Sequence, residues 1–297
     1  MHTRMAAAVF SAALLLACDQ AADAPPASEL APARAAPQAG ETSAALFVDD
    51  PAADAQLVFV GQDSTARPAA HADAVFVPLS TFSVERDGIP NEFPPPDSMA
   101  GLLEAAGVGA ERLLIVGAPI PAGRAYAGLD YLGLGDRAAV YEGAPAALAS
   151  VPAATRERQR TGLDIDVRDD MIVDAEWVRE RLDDPDVAIL DARPPDEFSG
   201  ETPGEGIERP GHIPGARNLF WQTLVQSPDQ PRLKEEAELR RIFQEAGVGP
   251  EDTIVSYCRT GGQASFLYAV ARHLGYDVRL YDGSFIDWSR TDYPVER

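Results

Sequence analysis

The sequence predicts an α/β protein made of two tandem units, each a mainly parallel central sheet flanked by helices. Three observations carry this. Thr253 to Tyr257 is a short apolar, β-branched run, followed by Cys258-Arg259-Thr260-Gly261-Gly262-Gln263 and then by a helical stripe of Phe266, Leu267, Val270, Ala271 and Leu274. That order reads strand, tight loop, helix, with the loop at the carboxyl end of the strand, where open α/β sheets place ligands. The chain also matches itself at an offset of about 140 residues. Gly107-Val108-Gly109 pairs with Gly247-Val248-Gly249, Leu134-Gly135 with Leu274-Gly275, and Tyr141-Glu142-Gly143 with Tyr281-Asp282-Gly283. Finally, 297 residues with 45% apolar and 24% charged side chains suit a globular chain of about two domains.

Met1 to Ala17 reads as a targeting segment: His2 and Arg4 precede an apolar run too short for a stable transmembrane helix. Leu15-Leu16-Ala17-Cys18 is similar to a bacterial lipobox, which makes Cys18 a lipidation site; an ordinary secretory signal cut further on is the other reading. Asp19 favours the periplasmic face of the inner membrane over the outer membrane. Residues 18–42 are Ala- and Pro-rich without periodicity and read as a disordered tether. With Cys18 lipidated, Cys258 is the sole free thiol and no disulfide can form within one chain.

Residues 43–150 form the first copy of the repeat, with strands expected near 55–60, 74–77, 113–116 and 138–141. Ala118 stands where the second copy has Cys258, and Pro119-Ile120-Pro121 cannot present the same N–H groups, because proline has none. This copy is expected to be inactive, to form one wall of a cleft, or to bind a partner. Residues 151–170 read as an extended, Arg-rich linker whose charged run is a solvated face.

Residues 171–297 form the second copy. Asp174 caps a helix from Ala175, and Val187 to Leu190 is the next strand, with Asp191-Ala192-Arg193 at its end. Gly261 and Gly262 allow positive φ and let the loop turn its N–H groups inward. A helix N-terminus and Arg259 alongside are expected to lower the thiol pKa and favour a nucleophilic thiolate or a bound persulfide. The formal charge of -22 argues against nucleic acid or an anionic membrane surface as partners. No metal-ligand spacing and no phosphate-loop signature appears, and no cofactor is implied.

Cys258-Arg259-Thr260-Gly261-Gly262-Gln263 resembles the six-residue active loop of the rhodanese family of sulfurtransferases. Val187 to Arg193, Gly211-His212-Ile213-Pro214-Gly215-Ala216 and Leu280 to Trp288 resemble three further family stretches, in family order. The resemblance implies two tandem rhodanese-like domains of which the first is inactive. It implies a Cys258 persulfide cradled by the N–H groups of residues 259–264. It assigns Arg193 to the anionic sulfur donor, with Asp191 orienting loop N–H groups or arginine side chains, and gives His212 a structural hydrogen bond rather than a catalytic role.

Arg259, Thr260, Gly261, Gly262, Gln263, Ala264, Arg193 and Asp191 are thus the expected substrate-binding set around Cys258. The expected partners are a small sulfur donor and a thiol or cyanide acceptor. Arg259 favours thiosulfate, whereas Thr260 stands where thiosulfate enzymes of the family carry a second cation. Glu197 occupies the position four residues after Arg193 where tandem enzymes often carry another Arg. A 3-mercaptopyruvate donor, or a persulfide carrier without turnover, are the alternatives.

Overall fold

The computed structural model describes residues 45–50, 54–67, 71, 74–109, 112–143, 148, 162–227 and 230–297. Cys18, the targeting segment, the tether and most of the basic linker lie outside the described residues.

The first half runs β1 (Phe47–Val48), β2 (Gln56–Gly61), β3 (Val75–Pro78), a hairpin of β4 (Val84–Arg86) and β5 (Ile89–Glu92), α1 (Pro96–Ala106), β6 (Leu113–Val116), α2 (Pro119–Tyr131) and β7 (Ala138–Tyr141). The second runs β8 (Ile172–Val173), α3 (Ala175–Arg179), β9 (Val187–Asp191), α4 (Pro195–Phe198), β10 (Arg217–Asn218), a hairpin of β11 (Val225–Ser227) and β12 (Gln230–Leu233), α5 (Glu236–Glu245), β13 (Thr253–Tyr257), α6 (Gly262–His273), β14 (Asp277–Tyr281) and α7 (Ser284–Trp288).

Each half builds a five-stranded, all-parallel sheet, ordered β1-β7-β6-β2-β3 in one and β8-β14-β13-β9-β10 in the other. The two orders are the same once equivalent strands are matched, so the sequence repeat is a structural repeat. Parallel sheets have both faces covered, which is why β6 is buried at every position and β13 at all but its first. The four anticipated strands of the first half are present within a residue or so. The edge strand β1 was not anticipated, because two residues carry no readable periodicity.

The matching glycines have a common cause. Gly107 ends α1 at φ 93° and Gly247 follows α5 at φ 76°. In each, the next residue donates back into the helix, Val108 to Leu103 O and Val248 to Phe243 O, closing the last turn. A side chain with Cβ is strained in that left-handed conformation.

The halves share one hydrophobic core, in which α2 packs on α6. The helices approach so closely that a Cβ on Gly123 would lie 2.6 Å from the Phe266 Cα. Asp130 of α2 is buried in this seam. It accepts from the Tyr268 hydroxyl at 2.6 Å and from Arg272 Nε at 3.2 Å, and Arg168 lies 2.8 Å away. A buried carboxylate without such partners would be strongly disfavoured. The backbone N–H groups of Asp166 and Arg168 donate to Leu132 O and Tyr131 O at the end of α2.

Candidate active site

β13 is central in its sheet, and its last residue, Tyr257, pairs with Asp191 at the end of β9. Cys258 therefore leaves the sheet at its carboxyl edge. Gly261 takes φ 86° and caps α6, which starts at Gly262. The first helical hydrogen bond runs from Ser265 N to Gly261 O, so the N–H groups before it are unused by the helix. Those of Thr260, Gln263 and Ala264 are directed at the Cys258 sulfur and favour its anion.

The loop's carbonyls are turned the other way by α7. Phe285 N donates to Cys258 O at 2.9 Å and Ile286 N to Arg259 O at 3.0 Å. Ser284, buried and at φ 56°, accepts the Cys258 N–H at 3.3 Å and donates to Tyr281 O. With the Cys258 and Arg259 carbonyls held away from the sulfur, the following N–H groups are left on its side.

The thiol does not behave as the sequence suggested. Cys258 is 2% exposed. Burial pushes its pKa above the ordinary thiol value; the three amides oppose this and Asp191 adds to it. The expected lowering counted the amides and omitted desolvation, which is the larger effect.

Both arginines of the expected substrate-binding set are committed elsewhere. Arg193 is 1% exposed and grips Asp191 through Nε at 3.0 Å and an Nη at 2.6 Å, with Gly211 O at 2.8 Å. Its guanidinium lies 4.2 Å from the Phe285 ring centroid. Burial works against its charge, yet Asp191, aided by Tyr257 and Glu197, more than offsets burial and keeps it cationic. Arg193 is therefore a buried brace rather than a side chain facing a donor, and Asp191 orients both this guanidinium and the Arg193 N–H. Arg259 forms a forked pair with Glu197, at 2.6 and 3.1 Å.

His212 Nδ1–H donates to Phe198 O, 2.9 Å away, and the imidazole stacks on the Phe198 ring. Trp221 packs edge-on against Phe266, on the core.

The first half reaches the loop directly, which the sequence reading missed. Arg124 of α2, 2% exposed, contacts Asp282 Oδ1 at 2.5 Å and Ser265 Oγ at 3.2 Å. Asp282 also accepts from Phe93 N at 2.6 Å. Asn91 Nδ2 donates to Thr260 Oγ1 at 3.1 Å. The available signal was Arg124 itself, which with Asp130 is one of two charges in the largely apolar stretch Pro119–Tyr131. A cleft of about 450 Å³ lies between the halves, lined by Phe93, Pro94, Tyr131, Asp174, Tyr281 and Asp282 among others; Cys258 is not among its lining residues. In the first half no loop exists to equip: β6 ends at Val116, and Ala118 is already the residue before α2.

Residues 174–291 match the family model described as Rhodanese-like domain. A putative thiosulfate sulfurtransferase of Synechococcus elongatus is 40% identical over 117 residues, covering 36% of each chain. The thiosulfate sulfurtransferase of Pseudomonas aeruginosa is 31% identical over 159 residues, 52% of this chain and 57% of that one. The sulfur carrier protein TtuD of Thermus thermophilus is 39% identical over 109 residues, 34% of this chain and 38% of that one. The chain thus spans between about a third and three-fifths of these relatives' length. The crystal structure of Tum1 from Saccharomyces cerevisiae superposes with a TM-score of 0.66 at 20% identity, over 82% of this chain and 92% of that one, which shows a shared fold across both halves. The strand, loop and helix that carry Cys258 therefore lie in a rhodanese-like domain, residues 174–291 of this chain.

Proposed function

We propose that this chain is a sulfurtransferase that moves a sulfane sulfur from a donor to a thiophilic acceptor through a persulfide on Cys258. The observation that carries the reading is the set of Thr260, Gln263 and Ala264 amides directed at the one thiol among the described residues, at the carboxyl edge of a parallel sheet. Amides fixed in this way stabilise negative charge on sulfur without reorganising. Thiosulfate, named in the relatives, is the first donor to assay; 3-mercaptopyruvate is the second.

The mechanism has two half-reactions. The Cys258 thiolate attacks the outer sulfur of the donor, the new S–S bond forms, and the donor's remainder leaves with the bond's electron pair, as sulfite when the donor is thiosulfate. The persulfide anion rests against the loop amides. Cyanide or a thiol then attacks the outer sulfur and regenerates the thiolate. Such a double displacement gives ping-pong kinetics. Desolvation keeps the resting thiol protonated at neutral pH, so the donor reacts with a minor thiolate fraction held by the amides.

Incubation with a sulfane donor and cyanide tests this: thiocyanate is expected from the native chain and none above background from Cys258→Ala. Equal production by both would remove the reading. A carrier that accepts sulfur without turnover is the second reading, supported by the kinship with a sulfur carrier protein. Sulfur uptake on Cys258 without thiocyanate release would select it.

The domain layout proposed with this function is a signal at 1–17, a tether at 18–42 anchored through lipid on Cys18, an inactive domain at 43–150, a linker at 151–170 and a catalytic domain at 171–297. Anchoring at the periplasmic face of the inner membrane is tested by fractionation: Cys18→Ser should move the protein from the membrane to the soluble fraction.

A further inference from the structure

Three guanidiniums stand beside the sulfur-bearing loop, and each has its own carboxylate: Arg193 with Asp191, Arg124 with Asp282 and Arg259 with Glu197. The first two pairs are sealed in the interior. Arg259 is different, because its side chain is about one-third exposed while Glu197 beneath it is buried. It is the member of the three that an incoming anion could reach.

Two features hold Arg259 where it is. Both carboxylate oxygens of Glu197 are used in the fork. Gly204 packs down on the pair: a Cβ there would lie 2.7 Å from Arg259 Nε and 2.8 Å from Glu197 Oε2. For Arg259 to bind a donor's sulfonate, it must leave a buried carboxylate unpaired, which is the costly way to break such a pair. A dianionic donor therefore meets amides, a paired cation and a nearby Asp191, in a protein of formal charge -22.

Resting on the sulfur-transfer reading of Cys258, we infer that Glu197 is a specificity-determining residue: by holding Arg259 it turns the site away from the thiosulfate dianion and toward sulfane donors of low charge, organic persulfides R–S–SH. The step balances without an oxidant. The Cys258 thiolate attacks the outer sulfur, the Sγ–S bond forms and the donor's own S–S bond, between R–S and that outer sulfur, breaks. The leaving thiolate takes the electron pair and then the proton of the S–SH group, giving R–SH and the Cys258 persulfide anion. No sulfonate has to be accommodated, and the amides meet a single developing charge.

The test uses the full chain, with thiosulfate and the persulfide of N-acetylcysteamine as donors. Sulfur loading of Cys258 is followed by intact-mass spectrometry. Glu197→Gln keeps the shape and removes the charge, freeing Arg259. It should raise the thiosulfate loading rate about tenfold or more and change persulfide loading less than about threefold. Unchanged or slower thiosulfate loading in the folded variant overturns the inference.

A second arm needs no variant. In the native chain, thiosulfate loading should quicken as NaCl rises from about 20 to about 300 mM, because screening relieves repulsion of a dianion whose exposed guanidinium, Arg259, is already paired. Loading that slows with salt shows capture by a guanidinium and also overturns the inference. Failure of both donors to load Cys258 is a separate result: it refutes the sulfur-transfer reading, and the donor preference falls with it.

Discussion

Arg124 in the first half and Asp282 in the second, 158 residues apart, form a buried ion pair at 2.5 Å directly against Gly261 of the active loop. A Cβ on Gly261 would lie 2.9 Å from Asp282 Oδ1 and 3.1 Å from the Arg124 guanidinium. Arg124 also accepts no freedom from its surroundings: it donates to Phe82 O at 3.1 Å and to Asn91 O, and sits 3.6 Å over the Phe93 ring. The half without a nucleophile therefore supplies part of the frame that holds the loop of the other.

Removing one member of this pair leaves the other buried and uncompensated. Arg124→Met should lower the unfolding free energy by about 3–5 kcal/mol, and adding Asp282→Asn should recover a substantial part of that loss. Denaturant titration of the two single variants and the double reads the coupling. Strictly additive losses would mean that the two residues act independently.

Gly261 is needed at φ 86°, with no space for a side chain. Gly261→Ala should cost about 1–2 kcal/mol in backbone strain alone. It should also disturb the amides that follow, so loading of Cys258 should fall by about 100-fold, the scale of losing one preorganised donor. A folded Gly261→Ala chain that loads sulfur at the native rate would show that the amide ring is not what activates the thiol.

The direction of the Cys258 shift sets a pH dependence. Alkylation by iodoacetamide should inflect above the ordinary thiol value, because burial disfavours the thiolate more than the amides favour it. The folded pKa lies above the unfolded one, so the fold stabilises the protonated thiol. That stabilisation is complete below the unfolded thiol's pKa and is lost as pH rises through the folded one. Relative to Cys258→Ser, the native chain should lose stability across that alkaline window. An inflection on the acid side of a free thiol would contradict the burial argument.

Ala118 occupies the position of Cys258 in the repeat, but α2 begins at Pro119 and leaves no loop to fold round a sulfur. Moving the nucleophile there in the double variant Ala118→Cys/Cys258→Ala should give no thiocyanate from thiosulfate and cyanide. Activity in that chain would mean that a thiol at a sheet edge is sufficient.

What the sequence shows and hides follows from the range of the interactions. The β13, loop and α6 segment was legible because a β-branched run, paired glycines and a 3.6-residue stripe are local signals. The repeat was legible because both copies end a helix with glycine in the same conformation, at Gly107 and Gly247. The Glu197–Arg259 fork was hidden, although both residues were singled out, because nothing local says that a charge 62 residues away will be spent on its neighbour. Arg193 was assigned to the donor on resemblance, and the fold instead buries it against Asp191 and Gly211 O. The thiol's shift was given the wrong sign because amides and charges can be counted along a chain, whereas desolvation exists only once the second half has packed around Cys258.

In the proposed reaction the Cys258 sulfur accepts a sulfane sulfur and holds it against the loop amides. Intact-mass spectrometry of the purified chain after exposure to a sulfane donor, with peptide mapping, tests it most directly. The expected result is a gain of one sulfur atom, located on Cys258, removed by cyanide and absent in Cys258→Ala. A chain that gains no sulfur, or gains it without dependence on Cys258, would contradict it.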